Sequence, residues 1–141
     1  MLASSRSTKP LALMFRDDGT IPNNPHLPFL VYRDAIALEG EASPERVIES
    51  TFGANGWGDM WRDGIFPYVH YHSMIHEALG IARGRAKVRF GGEAGEVLEL
   101  PPATSPCCRP APAISACGRR PNCASSAPTP NAEATISACP L

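Results

Sequence analysis

The sequence predicts an all-β protein with one short helix in its N-terminal half. Short runs rich in aliphatic and aromatic residues recur through the first hundred residues, and glycine-containing turns separate them. Only one segment, which starts at Ser43, carries the signals of a helix. Short strands at regular spacing with glycine turns are typical of a β-sandwich or a β-barrel.

The first predicted strand and the helix lie in the N-terminal half. Residues 26–32, HLPFLVY, follow the turn-forming PNNP and have the composition of an apolar strand. Ser43 suits the N-cap of a helix, and Pro44 suits the first helical position because proline has no N–H to leave unpaired there. The apolar stripe of this helix consists of Val47, Ile48 and Phe52, and Gly53 can end it.

Four more strands are predicted after the helix. They cover residues 66–72, 79–82 and 86–90, and a last one runs from Val97 to Leu100. The second and third are expected to form a hairpin through Arg83-Gly84-Arg85, where glycine tolerates a positive φ. Another turn is marked by Gly91, Gly92 and Gly95.

The composition changes abruptly near Leu100. Every aromatic residue and all four histidines precede it, whereas residues 101–141 consist mainly of Pro, Ala, Ser and Cys. This tail has too few large apolar side chains to offset the entropy of ordering, so we predict that it is disordered. The predicted organisation is an N-terminal extension (1–14), a partial domain (15–100) and this tail (101–141). A natural Pro/Ala linker is the alternative, although five cysteines are unusual in one.

Several functional classes are disfavoured by the bulk sequence. The net charge is -1 and no basic run offers a phosphate-binding surface, so nucleic acid is not an expected partner. No apolar stretch has the length of a membrane span, and the N-terminus does not resemble a signal peptide. We therefore expect a cytoplasmic protein. The five cysteines lack the paired C-x-x-C of a zinc ribbon, and their odd number disfavours a disulfide framework.

The segment from Gly64 to Gly84 carries the candidate chemistry. His70 and His72 are two residues apart on a predicted strand, so both imidazoles leave the same face about 7 Å apart. Glu77 follows after a segment that can turn the chain back beside them. Two imidazoles and one carboxylate suit a divalent transition metal such as iron in a facial arrangement of ligands.

The other residues of this type have simpler interpretations. His76 is expected in a turn or on the opposite face, with a role as reserve ligand left open, and His26 is expected to be structural. Tyr68 and Tyr71 are expected to be packing residues. Taken alone, a His-x-His pair is more often a pair of surface or core histidines than a metal site.

The spacing of the whole segment favours the metal site. Gly64, five residues, His70-x-His72, four residues, Glu77, six residues and Gly84 match the first cupin motif at each fixed position. The stretches DDGTIPNNPHLPFLVY (17–32), NGWGDMWRDGIFPYVHYHS (55–73) and HEALG (76–80) resemble a family of small bacterial single-domain cupins with no established activity. The resemblance covers residues 15–100.

The resemblance has clear implications. It implies a cupin jelly roll, a double-stranded β-helix that here would be incomplete, with a divalent metal such as Fe, Mn, Ni or Zn inside. The metal would be held by His70, His72 and Glu77 together with one histidine from a second motif. The intact parent is expected to bind a small molecule and to form a homodimer.

The second motif is absent from this chain as it stands. It consists of a glycine, five residues, a proline, four residues and a histidine, but no histidine follows His76. When the third base of each codon, beginning with that of Leu100, is joined to the first two of the next, the permitted translations include AAGDVAVLPAGTGHQ. This string contains the second motif at the correct spacing. We therefore predict that a change of reading frame replaced the second half of a cupin.

Three functions remain open at the level of sequence. The first is that the parent is a metal-dependent enzyme of oxygenase or isomerase type, in which the metal acts as Lewis acid or redox centre. The second is that the parent binds or senses a small molecule without turnover, and the third is that the frame-changed product has no function. A second acid or base inside the barrel would favour the enzyme, but the sequence identifies no catalytic residue.

Overall fold

A computed structural model describes residues 9–17, 19, 22–65, 70–72, 75–108, 117–118 and 133–140. These residues are mostly in β-strands, with one helix, as the sequence predicts. The elements are β1 (Leu11–Leu13), β2 (Phe29–Tyr32), α1 (Pro44–Ala54), β3 (Gly58–Asp63), β4 (Ile75–Arg83), β5 (Ala86–Phe90), β6 (Glu96–Leu100), β7 (Ser105–Cys108), β8 (Cys117–Gly118) and β9 (Glu133–Pro140).

The strands form two antiparallel sheets. The larger sheet has the order β1-β2-β7-β4-β9-β3, and the smaller has the order β6-β5-β8. Within the described ranges no helix has the length and apolar character needed to cross a bilayer. The described strands thus confirm a β-rich fold with one helix, whereas the cupin jelly roll stays a prediction.

One apolar core contains side chains of both sheets. Side chains alternate along a strand, so alternate residues of β2 and β5, and of parts of β4 and β6, point into this core. The Phe29 and Phe90 rings meet there with their centroids 4.4 Å apart. Full burial of a ring such as Phe90 contributes about 2–3 kcal/mol. The buried members are Phe29, Val31, Leu79, Ile81, Ala86, Val88, Phe90, Leu98 and Leu100.

Helix α1 covers the other face of β4. Ile48 and Phe52, which belong to the predicted apolar stripe, are buried with Ala78 and Ala82. Between those two alanines lies Gly80, where an added Cβ would come within 2.5 Å of the Ile48 Cγ2. The small residues of β4 therefore allow the helix to lie close to the strand.

The helix begins where the sequence predicts, but it ends later. Pro44 is its first residue, and the Ser43 side chain makes no capping hydrogen bond. The helix passes through Gly53 and ends at Ala54, so the prediction that Gly53 ends it is wrong. The positive φ near this end belongs to Gly56, at +82°, and glycine adopts that conformation without a steric penalty.

The strands around the candidate site differ from the prediction in three ways. β4 begins at Ile75 and is longer than the predicted strand 79–82. Gly84 has the expected positive φ, +67°, yet β4 and β5 lie in different sheets, so the predicted hairpin is wrong. Of the predicted strand 66–72, residues 66–69 lie outside the described part, and residues 70–72 contain only an isolated bridge at His70.

Two strands were not predicted in the front part of the chain. β1 and β3 are the edges of the larger sheet, and most of their side chains are exposed. The β3 sequence GDMWRD shows no alternation of apolar and polar residues because neither face of this strand is consistently buried.

The structure also has strands in the tail, where the composition predicts disorder. β7, β8 and β9 lie after Leu100 and are hydrogen-bonded to strands of the front part. Strand pairing uses backbone N–H and C=O groups, so a segment without large side chains can still join an open sheet edge. The division of the chain near Leu100 and the change of reading frame stay predictions.

Candidate metal centre

Glu77 is held by the central strand β4. Its side chain shares a strand face with Leu79 and Ile81, which belong to the core between the sheets. Only 6% of the residue is exposed to solvent. A carboxylate in such surroundings needs polar partners, because burial without them strongly disfavours its charge.

The two histidines reach Glu77 from the segment before β4. His70 and His72 are half-buried, and their ring centroids are 5.2 Å apart with nearly perpendicular planes. Although residues 70–72 are not in a regular strand, the spacing of two brings both imidazoles to one place. The sequence therefore predicted that the two imidazoles lie together, although residues 70–72 do not form the regular strand that it predicted.

The three side chains converge on one point. One ligand atom from each of His70, His72 and Glu77 can be chosen so that all three lie within 4.8 Å of one another. The His72 Nε2 and a Glu77 carboxylate oxygen are 3.3 Å apart. Two imidazole nitrogens and one carboxylate oxygen are suitable donors for a divalent transition metal, so this group can hold an ion.

The contact between His72 and Glu77 favours protonation of His72. The hydrogen bond to Glu77 raises the pKa of His72 above its ordinary value, with partial burial acting in the opposite direction and the charge of Glu77 adding to the increase. An imidazolium has no free lone pair for a metal. A metal and a proton therefore compete for His72.

His26 and His76 do not belong to this group. His26 is exposed in a bend, where its backbone N–H donates to the Asn24 side-chain oxygen, and its structural role stays a prediction. His76 precedes Glu77 and so lies on the other face of β4, where its ring meets the edge of Trp57 at a centroid distance of 6.4 Å. The opposite-face interpretation of His76 is thus the one that the geometry supports.

The expectation for Tyr71 is wrong. Tyr71 lies between the two candidate ligands and is 47% exposed, so it is not a packing residue. Alternation explains this, because the imidazoles on either side turn inward and leave the intervening side chain outside. Tyr68 lies outside the described residues.

The described residues supply no fourth ligand. No other His, Cys, Asp or Glu among them joins the three. On one side of Glu77 the neighbouring position is Ala138 of β9, and alanine has no donor atom in its side chain. The sequence signal that singled out the three candidate ligands was their spacing, and a donor from a remote strand gives no such signal.

Comparison with known proteins gives one informative similarity. The chain is 43% identical over 84 residues to the protein named "Uncharacterized protein YjlB" of Bacillus subtilis (strain 168). The match includes 60% of this chain and 47% of the relative, so the chain spans about half the length of the curated relative it matches. No family model matches the chain. No solved structure matches it either.

Proposed function

We propose that the chain is the first part of a metal-binding cupin, with His70, His72 and Glu77 as ligands of one divalent transition metal. The observation that carries the proposal is the convergence of the three donors within 4.8 Å, around a carboxylate that is 6% exposed. A buried carboxylate beside two half-buried imidazoles indicates a functional group, because ionisable side chains are costly to bury and cluster at functional sites.

The proposed roles follow from the donor chemistry. His70 and His72 each give one imidazole nitrogen, and Glu77 gives one carboxylate oxygen. Fe, Mn, Ni and Zn all accept such donors, and three protein ligands leave coordination positions open for a small molecule. When bound, the ion would supply a Lewis acid or a redox centre for that molecule.

The jelly-roll part of the proposal rests on two supports. The two antiparallel sheets share one core, which is the layer arrangement of a jelly roll. The cupin spacing from Gly64 to Gly84 supplies the second support. The matched stretch of 84 residues is also about as long as the segment from Phe15 to Leu100, which is the part that we assign to the cupin.

The choice between turnover and simple binding stays open in this proposal. The two alternatives for the intact parent are an enzyme of oxygenase or isomerase type and a module that binds or senses a small molecule. No other His, Cys, Asp or Glu among the described residues joins the group. We therefore assign no catalytic residue.

Equilibrium dialysis of the full chain against Zn²⁺ or Mn²⁺, followed by elemental analysis, tests the metal site. We expect weak binding of one ion, because only three ligands are present. His72→Ala should abolish this binding, whereas His26→Ala, which removes an exposed histidine outside the group, should leave it unchanged. Circular dichroism must show that both variants keep the β-rich fold.

A second arm uses the chain with its parental frame restored. We expect tight binding there because a further histidine becomes available, and His72→Ala should again remove it. If the restored protein carries no metal, or if His72→Ala retains the metal unchanged, the metal-site proposal is wrong.

A further inference from the structure

The space between β2 and β4 is filled by a strand from the tail. In the larger sheet the neighbours of β4 are β7 and β9, and both belong to the part of the chain after Leu100. β7 has β2 on one side and β4 on the other, so it is a central strand. We call this space, which Ser105–Cys108 occupies, the β2–β4 gap.

The register defines what each position of the gap faces. Positions 106 and 108 are paired with Val31 and Phe29, two members of the core between the sheets. Paired residues in antiparallel strands share a face, so both positions face that core. Position 107 is paired with Ala78, which lies on the face that α1 covers. The two positions on the core side of this central strand therefore call for apolar residues.

Ser105–Cys108 and the two residues before them fit these positions poorly. Ala103 has φ of +66°, a conformation that favours glycine. The Thr104 residue is fully buried, and its hydroxyl oxygen has no hydrogen-bond partner among the described residues. Pro106 has no N–H, and proline is rarely found in a central strand for that reason. Three misfits thus occur within four consecutive residues.

The alternative reading frame removes two of these misfits and supplies the apolar strand. If one base is restored after codon 100, AAGDVAVLPAGTGHQ occupies positions 101–115. Its glycine then falls at position 103, where the backbone has a positive φ. Its Val-Ala-Val-Leu falls at positions 105–108, and its single proline falls at position 109, directly after the strand. This translation was chosen from the motif spacing, so the positive φ at position 103 is a separate observation that favours glycine there.

We propose that the β2–β4 gap is an acceptor site for an apolar β-strand preceded by glycine, and that the sequence AAGDVAVLPAGTGHQ is its proper occupant. Such a strand, supplied by a separate molecule, displaces Ser105–Cys108 and pairs with β2 and β4. Backbone hydrogen bonds provide affinity in this mode of binding, and the alternating side chains provide specificity. The proposal does not depend on metal binding.

Fluorescence anisotropy of a labelled AAGDVAVLPAGTGHQ peptide, titrated with the full chain, tests the acceptor site. We expect saturable binding. A variant with the gap already filled carries Ala103→Gly, Ser105→Val, Pro106→Ala, Cys107→Val and Cys108→Leu. Because its own strand fits, this variant should bind the peptide at least tenfold more weakly, and its Tm should rise by about 3 °C or more.

Two further measurements keep the test independent of how well that variant folds. A peptide N-methylated on both valines lacks the N–H groups that pair with a neighbouring strand, and it should bind the unaltered chain at least tenfold more weakly. In hydrogen exchange of the unaltered chain, saturating peptide should reduce the protection of Ser105–Cys108. Absence of saturable binding, equal binding of both peptides, or unchanged protection of that strand would each overturn the proposal.

Discussion

At the scale of single residues, Glu77 has the greatest influence on the candidate centre. Its carboxylate is buried, lies on the core side of β4, and is 3.3 Å from the His72 Nε2. The Glu77 carboxylate therefore supplies the negative charge of the group and also favours protonation of His72. A proton on His72 places a positive charge beside the buried carboxylate, and a metal ion would compete with that proton for the imidazole nitrogen.

This arrangement predicts a dependence of stability on pH. The pKa of His72 is raised in the folded protein, so the His72–Glu77 pair stabilises the metal-free fold fully below about pH 6.5, the ordinary histidine value. That contribution is lost as the pH rises through the raised pKa. Thermal unfolding of the metal-free chain should therefore show a decline of Tm over this range, and Glu77→Gln should flatten it.

The matched control is Glu99→Gln. Glu99 is exposed and pairs with Arg85, which does not titrate in this range, so its substitution should leave the pH profile of Tm unchanged. Added Zn²⁺ should reverse the sign of the slope, since the ion binds only deprotonated His72. A profile that Glu77→Gln does not alter would contradict the coupling between these two residues.

At the scale of secondary-structure elements, the contact between α1 and β4 holds the strand that carries Glu77. Gly80→Ala would place a methyl group 2.5 Å from the Ile48 Cγ2, and Ile48 is fully buried and cannot withdraw. We expect a loss of about 1–3 kcal/mol in the free energy of unfolding, as for other overpacked cores. Urea denaturation followed by circular dichroism measures it.

Gly53→Ala is the control in the same layer. This glycine lies in α1, and an added Cβ would meet only the Met60 methyl at an ordinary distance of 3.6 Å. Alanine is the better helix former, so this variant should be more stable by about 0.5–1 kcal/mol. If Gly80→Ala were as stable as the unaltered chain, the close approach of α1 and β4 would be contradicted.

The elements that the sequence predicted are those with a clear local signal. Ser43-Pro44 gave the helix start, and the buried positions of β5 alternate in the sequence as they do in the sheet. β1 and β3 have exposed side chains, so their formation depends on remote partners that no local pattern reveals. The predicted hairpin failed for the same reason, because Gly84 specifies a turn and not the sheet that β5 joins.

The candidate centre was predictable in part. A spacing of two placed both imidazoles on one side, and the segment that follows returned Glu77 to them. The exposure of Tyr71 is the other consequence of the same alternation. What completes the coordination could not be predicted from this segment, because a fourth donor must come from a strand that is distant in sequence.

At the scale of the whole molecule, the larger sheet depends on the tail. Among the described strands of the front part, only β1 and β2 pair with each other within this sheet. Strand β4 lies between β7 and β9, and β3 is paired with β9. A chain that ends at Leu100 would leave both edges of β4 without a partner. We expect this truncated chain to lose cooperative thermal unfolding, measured by near-ultraviolet circular dichroism.

The control for the truncation is a chain that lacks residues 1–8, which precede every described strand. It should unfold in one cooperative transition at a Tm close to that of the full chain. A truncation at Leu100 that keeps a sharp transition would mean that the front part closes its own sheet, and the pairing of β4 with tail strands would then be contradicted.

The central claim, a metal centre of His70, His72 and Glu77, is tested most directly by NMR of the imidazole rings during a Zn²⁺ titration. The chain has four histidines, so each ring can be assigned and two of them serve as internal controls. We expect the nitrogen chemical shifts of His70 and His72 to change together and to stop changing at one equivalent of bound metal, while those of His26 and His76 stay constant. Zn²⁺ shifts at His26 or His76, or unchanged resonances of His70 and His72, would contradict it.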